Sequence, residues 1–493
     1  MIFRFNLQLF LFLSLVAVTF ALEISRSGSA SNSSSTPVAP LETIDQLYES
    51  RSVHRALNVA EAIPYIDILR KYIASKDHGK DHCTKIHSRP EWRTLTNEQR
   101  QKFISATWCL TTRPSMLAGA KTNTNGRRTS LSDDFALVHT RLFYSIHYTA
   151  AFLPWHRWYL RARELALQDC GYDGPFPYWD WATDADTGNV LASPMLSNDL
   201  GMGGNGSYPN GTLTSGPFAY FPASYRATEE HQSVPIYDPH YIERTFAVML
   251  AENKTHPMFE EGYNTTAVQR VMSFPDFSVF YPRLGGLQHR KDIVGLGPHG
   301  AVHLAIAGDA VHATSPNEPL FFLHHANIDR IWWYWQNGDT TGHGQPANQV
   351  NTSDPHSRFW AYSGNTVQFE IDPTGGPEAS LFDFQTLQGL YLPKIETYKL
   401  MDTTRPPLCY KEEQEEQEEQ EEQEEQEEQE EQEEEEEEEQ EEDGEDEKDE
   451  KDEKDEKDEK DEKDEKDEKD EKDEKDEKDE DEEDLKTVTE ERS

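Results

Sequence analysis

The chain is poor in cysteine, with four residues in 493, and none of the four stands in a Cys-x-x-Cys pair, which argues against a cysteine-held metal site. It lacks a basic excess: 47 Lys and Arg face 94 Asp and Glu, for a net charge of -47. Nucleic acid is therefore excluded as a partner class. Beyond the N-terminus there is no apolar run of membrane-spanning length, so no later span is expected. The acidity is also unevenly placed. Residues 411–493 carry 14 basic and 55 acidic side chains, net -41, and leave the preceding residues at an ordinary -6. This stretch repeats Glu-Glu-Gln to about Gln440 and Asp-Glu-Lys from about Asp446. With almost nothing apolar to bury it cannot build a core, and it reads as a solvated low-complexity tail.

What is present at the other end is a secretory signal. Arg4 supplies the positive charge, Leu9 to Phe20 the apolar run, and Thr19-Phe20-Ala21 a small-residue cleavage site, giving a signal peptide over 1–21. A Ser-, Pro- and Ala-rich linker follows over 22–45, and the folded domain is expected over 46–410. Sequons at Asn32, Asn205, Asn210, Asn253, Asn264 and Asn351 fit a secreted glycoprotein with no membrane attachment after signal removal. In that compartment Cys83, Cys109, Cys170 and Cys409 imply two disulfides in one of three connectivities.

Within the domain the pattern is mainly helical. Helices are expected over Ala56 to Ile73, after the cap-like Thr96-Asn97-Glu98-Gln99, over Asp133 to Tyr148 and over Arg157 to Cys170, with Pro154 ending or restarting a helix. Two more are expected over Pro298 to Ala307 and Pro319 to Gln336. Residues 186–225 read as a long loop, and Thr366 to Ile371 and Leu387 to Lys399 as strand-like.

Histidine is the informative residue. His139, His147 and His156 form one set; His299, His303 and His325 form a second. His299 and His303 are four apart and share a helical face; the spacing from His139 to His147 is slightly over two turns. His324 points about 100° from His325 on a helix and reads as packing or support. His312 and His289 are placed near the entrance, and His78, His82 and His87 on the surface. Six imidazoles without a carboxylate suit a pair of copper ions able to cycle between cuprous and cupric states. Zinc is disfavoured, because His299-Gly-Ala-Val-His303 lacks the Glu of His-Glu-x-x-His. The expected architecture is a mainly α four-helix bundle around a dinuclear site, with long irregular loops and a few short strands.

These residues resemble the tyrosinase family of tyrosinases, catechol oxidases and related haemocyanin domains. Phe152-Leu-Pro-Trp-His156-Arg-Trp-Tyr-Leu is similar to its first copper motif, and Glu318-Pro-Leu-Phe-Phe-Leu-His324-His325-Ala-Asn-Ile-Asp329-Arg-Ile-Trp to its second. Pro177-Tyr-Trp-Asp180-Trp also resembles a family segment. The resemblance spans about residues 50–405. It implies a type-3 pair of two copper ions, His139, His147 and His156 holding one and His299, His303 and His325 the other, with the His325-x-x-x-Asp329 element selecting His325 over His324. It also implies a phenolic substrate and dioxygen. Glu91-Trp-Arg-Thr-Leu and Cys170-Gly-Tyr are most similar to short secreted fungal members.

Three departures shape the expected activity. Ser145 stands where many members carry a cysteine linked to a histidine, so no such thioether forms there. Gly300 stands where monophenol-hydroxylating members often have Asn, and Asp292 is the sole acidic residue between Gln288 and Pro298. The implied function is oxidation of o-diphenols to o-quinones, with weak monophenol hydroxylation at most. The alternatives are an oxidase of o-aminophenols or peptide phenols, and a haemocyanin-like oxygen-binding protein. Phe321 and Leu304 are candidate gates, with core packing the competing role.

Overall fold

The structure, a computed structural model, describes residues 59–74, 83–117, 129–228, 231–246, 260–286, 293–339 and 350–412. The signal peptide, the linker, the acidic tail beyond Glu412, His78, His82, His289 and Asp292 lie outside them.

Helices α1 (Val59–Ala74) and α2 (Asn97–Thr112) fall where the sequence placed them. Helix α2 opens on a capping box in which Thr96 and Gln99 satisfy each other's backbone N–H groups. Helix α3 (Leu131–Ile146) is opened the same way by Ser130 and Asp133. Helix α4 (Phe152–Asp169) begins five residues ahead of the expected start. Pro154 sits in its first turn, where a backbone N–H has no intrahelical acceptor to lose. The short α5 (Trp181–Asp186) follows the buried aromatic turn of Phe176, Tyr178 and Trp179.

Besides α5, several elements were not anticipated. Strands β2 (Pro222–Thr228) and β3 (His231–Tyr241) form an antiparallel hairpin, and helices α6 (Thr265–Met272) and α7 (Phe277–Gly285) precede the second histidine set. Helix α8 (Ile293–Ile306) is kinked at Gly297, whose φ of 62° lets Pro298 start a fresh helical run. Helix α9 (Leu320–Gln336) is buried along almost its whole length. Thr366 to Ile371 is a turn rather than a strand: Thr366 N–H and Val367 N–H both donate to Gly375 O at 3.0 Å, and Gly375 and Gly376, at φ 77° and 71°, fold the chain back. In the Leu387 to Lys399 stretch only the two-residue strand β5 (Ile395–Glu396) forms, paired with β4 (Phe384–Gln385). The fold is thus mainly helical, with short two-stranded sheets among the described residues.

The ends of the domain meet. Strand β1 (His87–Arg89) pairs in parallel with β6 (Tyr410–Glu412), and Cys83 is bonded to Cys409. Cys109 is bonded to Cys170, tying α2 to the end of α4. His87 is therefore half-buried in a strand rather than on the surface. Beneath the pairing, Asp329 of α9 accepts Arg157 Nε of α4 at 2.6 Å and Arg89 Nη1 of β1 at 2.8 Å, and the Tyr410 hydroxyl donates to it as well. Arg157 follows His156 directly and Asp329 lies one turn after His325. This buried ion pair therefore locks together the two helices that carry those histidines.

Candidate metal centre

The six predicted histidines come together at the middle of α3, α4, α8 and α9. His139 projects from α3, His156 from α4, His299 and His303 from α8, and His325 from α9. His147 is not on the face of α3; it is the residue that ends the helix, in extended conformation, with Tyr148 at φ 55° turning the chain into α4. The ring nitrogens of His139, His147 and His156 lie within 4.8 Å of one another, as do those of His299, His303, His324 and His325. His156 and His325 stack at 4.3 Å between ring centroids, nearly parallel at 12°, so the two groups abut.

Five of the six imidazoles are oriented by a backbone carbonyl; the buried Nδ1 of His325 has no hydrogen-bond partner among the described residues. Nδ1 of His139 faces Ala313 O at 2.6 Å, His147 faces Phe143 O at 3.0 Å, and His156 faces Phe152 O at 2.7 Å. Nδ1 of His299 faces Gly285 O at 2.9 Å and that of His303 faces Ala310 O at 2.7 Å. A carbonyl only accepts, so each of these five Nδ1 atoms carries the proton and its Nε2 keeps the lone pair. The Nε2 atoms then turn toward one another, 3.4 Å apart for His156 and His139 and 3.3 Å for His303 and His325, and the buried Nε2 of His299 has no hydrogen-bond partner. Lone pairs crowded in this way repel unless a cation lies between them; the donor set fits a pair of metal ions. Imidazole alone, with no carboxylate in either group, suits copper.

Burial keeps the rings neutral. Loss of solvation pushes His139 down to about 3, against the Ala313 carbonyl, and His303 down to about 4, against the Ala310 carbonyl. Burial, with the neighbouring histidines adding to it, holds His147, His156, His299 and His325 well below the ordinary imidazole range. His324 is also fully buried, stacked on His299 at 5.4 Å, and neither ring nitrogen makes a well-formed hydrogen bond. Phe321 lies under the site, 4.2 Å from the His325 ring and 5.2 Å from His139; it is packing, not a gate. No cysteine among the described residues is free, so no thiol is left for a thioether to histidine.

A cavity of about 360 Å³ opens from the histidines to solvent. Phe143, Phe152, Leu296, Leu304 and Val311 supply apolar walls, Gly300 part of the floor, and His312 lies at the margin as expected. Leu304, partly exposed, stands at the mouth. Sequence reasoning missed Glu370, the one acidic residue lining the cavity among the described residues. Its segment is brought there by Asn365, which donates to Tyr148 O at 2.7 Å, and by Gln368, which donates to His147 O at 2.9 Å.

Comparison with known proteins agrees with this geometry. Residues 129–338 match the common central domain of tyrosinase. The chain is 34% identical over 341 residues to a tyrosinase-like protein of Diaporthe leptostromiformis, covering 67% of this chain and 81% of the relative. It is 28% identical over 378 residues to the N-acetyl-6-hydroxytryptophan oxidase of Emericella nidulans, covering 69% of this chain and 96% of the relative. Its fold is similar to a solved glycine-to-asparagine variant of the polyphenol oxidase from Thermothelomyces thermophila, with a TM-score of 0.54 and 27% identity over 75% of this chain and 98% of that one. Sequence motifs, the two groups of converging imidazoles and these relatives lead to one assignment: the chain belongs to the tyrosinase family of type-3 dicopper oxidoreductases.

Proposed function

We propose that this oxidoreductase is a secreted phenol oxidase acting chiefly on o-diphenols. Two catechols and one dioxygen give two o-quinones and two waters. His139, His147 and His156 hold one copper, and His299, His303 and His325 the other. The observation that carries this reading is the set of carbonyls that fixes Nδ1 and leaves Nε2 converging in a buried pocket. When bound, the copper pair supplies the redox chemistry, taking two electrons from each diphenol and delivering them to dioxygen.

The protein's own part is access and orientation. An aromatic ring enters between Phe143, Phe152 and Leu296, and the walls exclude water from the face it presents to the histidines. At about 360 Å³ the cavity is at the small end for small-molecule sites, which favours a single substituted ring. His325 rather than His324 is the sixth ligand, because its Nε2 is the one facing His303 Nε2. Gly300 leaves open the space that an Asn would fill, which favours diphenol oxidation over monophenol hydroxylation. A signal peptide, two disulfides and the absence, among the described residues, of a helix able to cross a membrane support secretion.

A second reading is an oxidase of a hydroxyindole, o-aminophenol or peptide phenol; the relative that is an N-acetyl-6-hydroxytryptophan oxidase favours it. Copper-loaded protein assayed in parallel on catechol, tyrosine, o-aminophenol and a hydroxyindole decides between them. The first reading requires catechol to be turned over fastest. Full L-DOPA oxidation by a folded His303→Ala variant would sink both.

A further inference from the structure

The segment 307–315, which follows α8, supplies orienting carbonyls to both metal groups. Ala310 O receives His303 Nδ1–H at 2.7 Å, and Ala313 O receives His139 Nδ1–H at 2.6 Å. No other segment among the described residues does this for one histidine of each group; the remaining carbonyls come from Phe143, Phe152 and Gly285, each serving a single ring.

The segment cannot set these carbonyls by itself. Its regular structure is one short 3-10 turn (Gly308–Val311) and the first residue of the next (Ser315–Asn317), and Ala307 and Gly308 enter it with φ of 55° and 57°. It is held from outside by Thr140 of α3, whose hydroxyl donates to Ala313 O at 3.1 Å, and by the β2–β3 hairpin and the strand's continuation. The buried Asp309 carboxylate accepts Glu243 N–H at 2.8 Å, His240 Nε2–H at 3.0 Å and Asn317 Nδ2 at 3.2 Å. Gln232 Oε1 of β3 accepts Ala313 N–H at 2.8 Å, on the residue whose carbonyl orients His139. His240 has its other ring nitrogen 2.7 Å from Asp238 O, so both its nitrogens face acceptors and the ring is suited to hold as a cation against Asp309. Arg226, from β2, and Glu243 complete the charged surroundings, joined at 2.9 Å.

We infer that the β2–β3 hairpin is a positioning device for both coppers at once, acting through the Asp309–His240 pair and the Gln232–Ala313 bond on the carbonyls of Ala310 and Ala313. The inference rests on the ligand assignment proposed above. Gln232, His240 and Asp309 touch none of the six imidazoles in the contacts described. Their influence is on ring orientation, and loss of such an outer partner typically costs on the order of 10-fold to 100-fold in metal affinity.

The test uses the full chain loaded with cuprous copper, which is diamagnetic. Copper retention is measured against a cuprous chelator, and the histidine Nδ1–H signals by nuclear magnetic resonance, in the parent and in the Gln232→Ala, His240→Ala and Val234→Ala variants. The expected result is copper held about 10-fold more weakly in the first two variants. In those variants the Nδ1–H protons of His139 and His303 exchange faster, while those of His147, His156 and His299 stay protected. Val234→Ala, an exposed position on the same strand, behaves as the parent. Unchanged retention and exchange in Gln232→Ala and His240→Ala overturn the inference, as does uniform loss of protection at all five rings, which marks general loosening. A parent that fails to retain two coppers overturns the ligand assignment instead.

Discussion

An imidazole serves a metal only through a nitrogen that keeps its lone pair, and for five of the six rings the fold secures this with a backbone carbonyl. Substituting one ring should thus act locally: His325→Asn is expected to bind one copper per chain and lose catechol oxidation, whereas His324→Asn keeps two, as metal analysis of the purified variants would show. Gly300 makes the neighbouring floor editable. An added Cβ there meets Leu296 Cβ at 3.4 Å and Gly285 O at 3.7 Å, ordinary contact distances, so Gly300→Asn should fold. It is expected to raise tyrosine turnover relative to L-DOPA turnover; an unchanged ratio would show that this position does not set the preference. Glu370 lies at the exposed rim, where a screened charge is worth under about 1 kcal/mol, or roughly fivefold in a rate ratio. Glu370→Gln should therefore reduce by a few-fold the preference in kcat/KM for dopamine over a carboxylate-bearing catechol. The two histidine groups were legible in the sequence because their spacing is set within single helices or by a short motif. Glu370 was not, since only the fold of the loop around Asn365 and Gln368 carries it to the cavity.

Among the elements, the helices with a strong local signal were readable and those defined by distant partners were not. The Thr96 capping box marked α2, and Pro298 marked the restart within α8. Strand β3 gave no such signal: none of its residues is fully buried, so its alternation carries no apolar face, and it exists through pairing with β2 and packing on α3. The same hairpin fixes the entry to segment 307–315, where Gly308 passes so close to the strand's continuation that a Cβ would lie 2.0 Å from Glu243 O. Gly308→Ala must displace that segment. The expected outcome is a lowered melting temperature together with weaker copper retention, measured by calorimetry and chelator competition. A change in neither would mean that the loop moves freely without consequence for the site.

For the molecule as a whole, burial of neutral imidazoles determines how metal loading responds to acid. Free imidazole titrates near 6.5, but His139 and His303 are pushed down to about 3 and about 4, and the other proposed ligands lie in the same direction. The folded apo-protein therefore keeps these rings neutral, with no second proton to lose, between pH 7 and 5. Copper binding is expected to release few protons there, and affinity should fall only as pH drops toward 4; titration calorimetry in buffers of differing ionisation enthalpy would show it. A tenfold loss of affinity per pH unit already at pH 6 would contradict the burial argument. The C-terminal boundary makes a second prediction. Ending the chain after Glu412 keeps β6, the Tyr410–Asp329 bond and the Cys83–Cys409 disulfide, and should leave catechol oxidation unchanged. Ending it after Leu408 removes all three; loss of the disulfide alone costs about 2 to 5 kcal/mol, and the shortened domain should melt well below the longer one.

The Cys83–Cys409 bond spans 326 residues and encloses every proposed ligand. Covalently, the catalytic body is a ring rather than a line, with its two open ends leaving from one point beside β1 and β6. A single peptide cleavage inside the ring opens it without freeing a fragment, so the two histidine groups stay tethered after a nick. That topology separates backbone damage from loss of the histidine constellation.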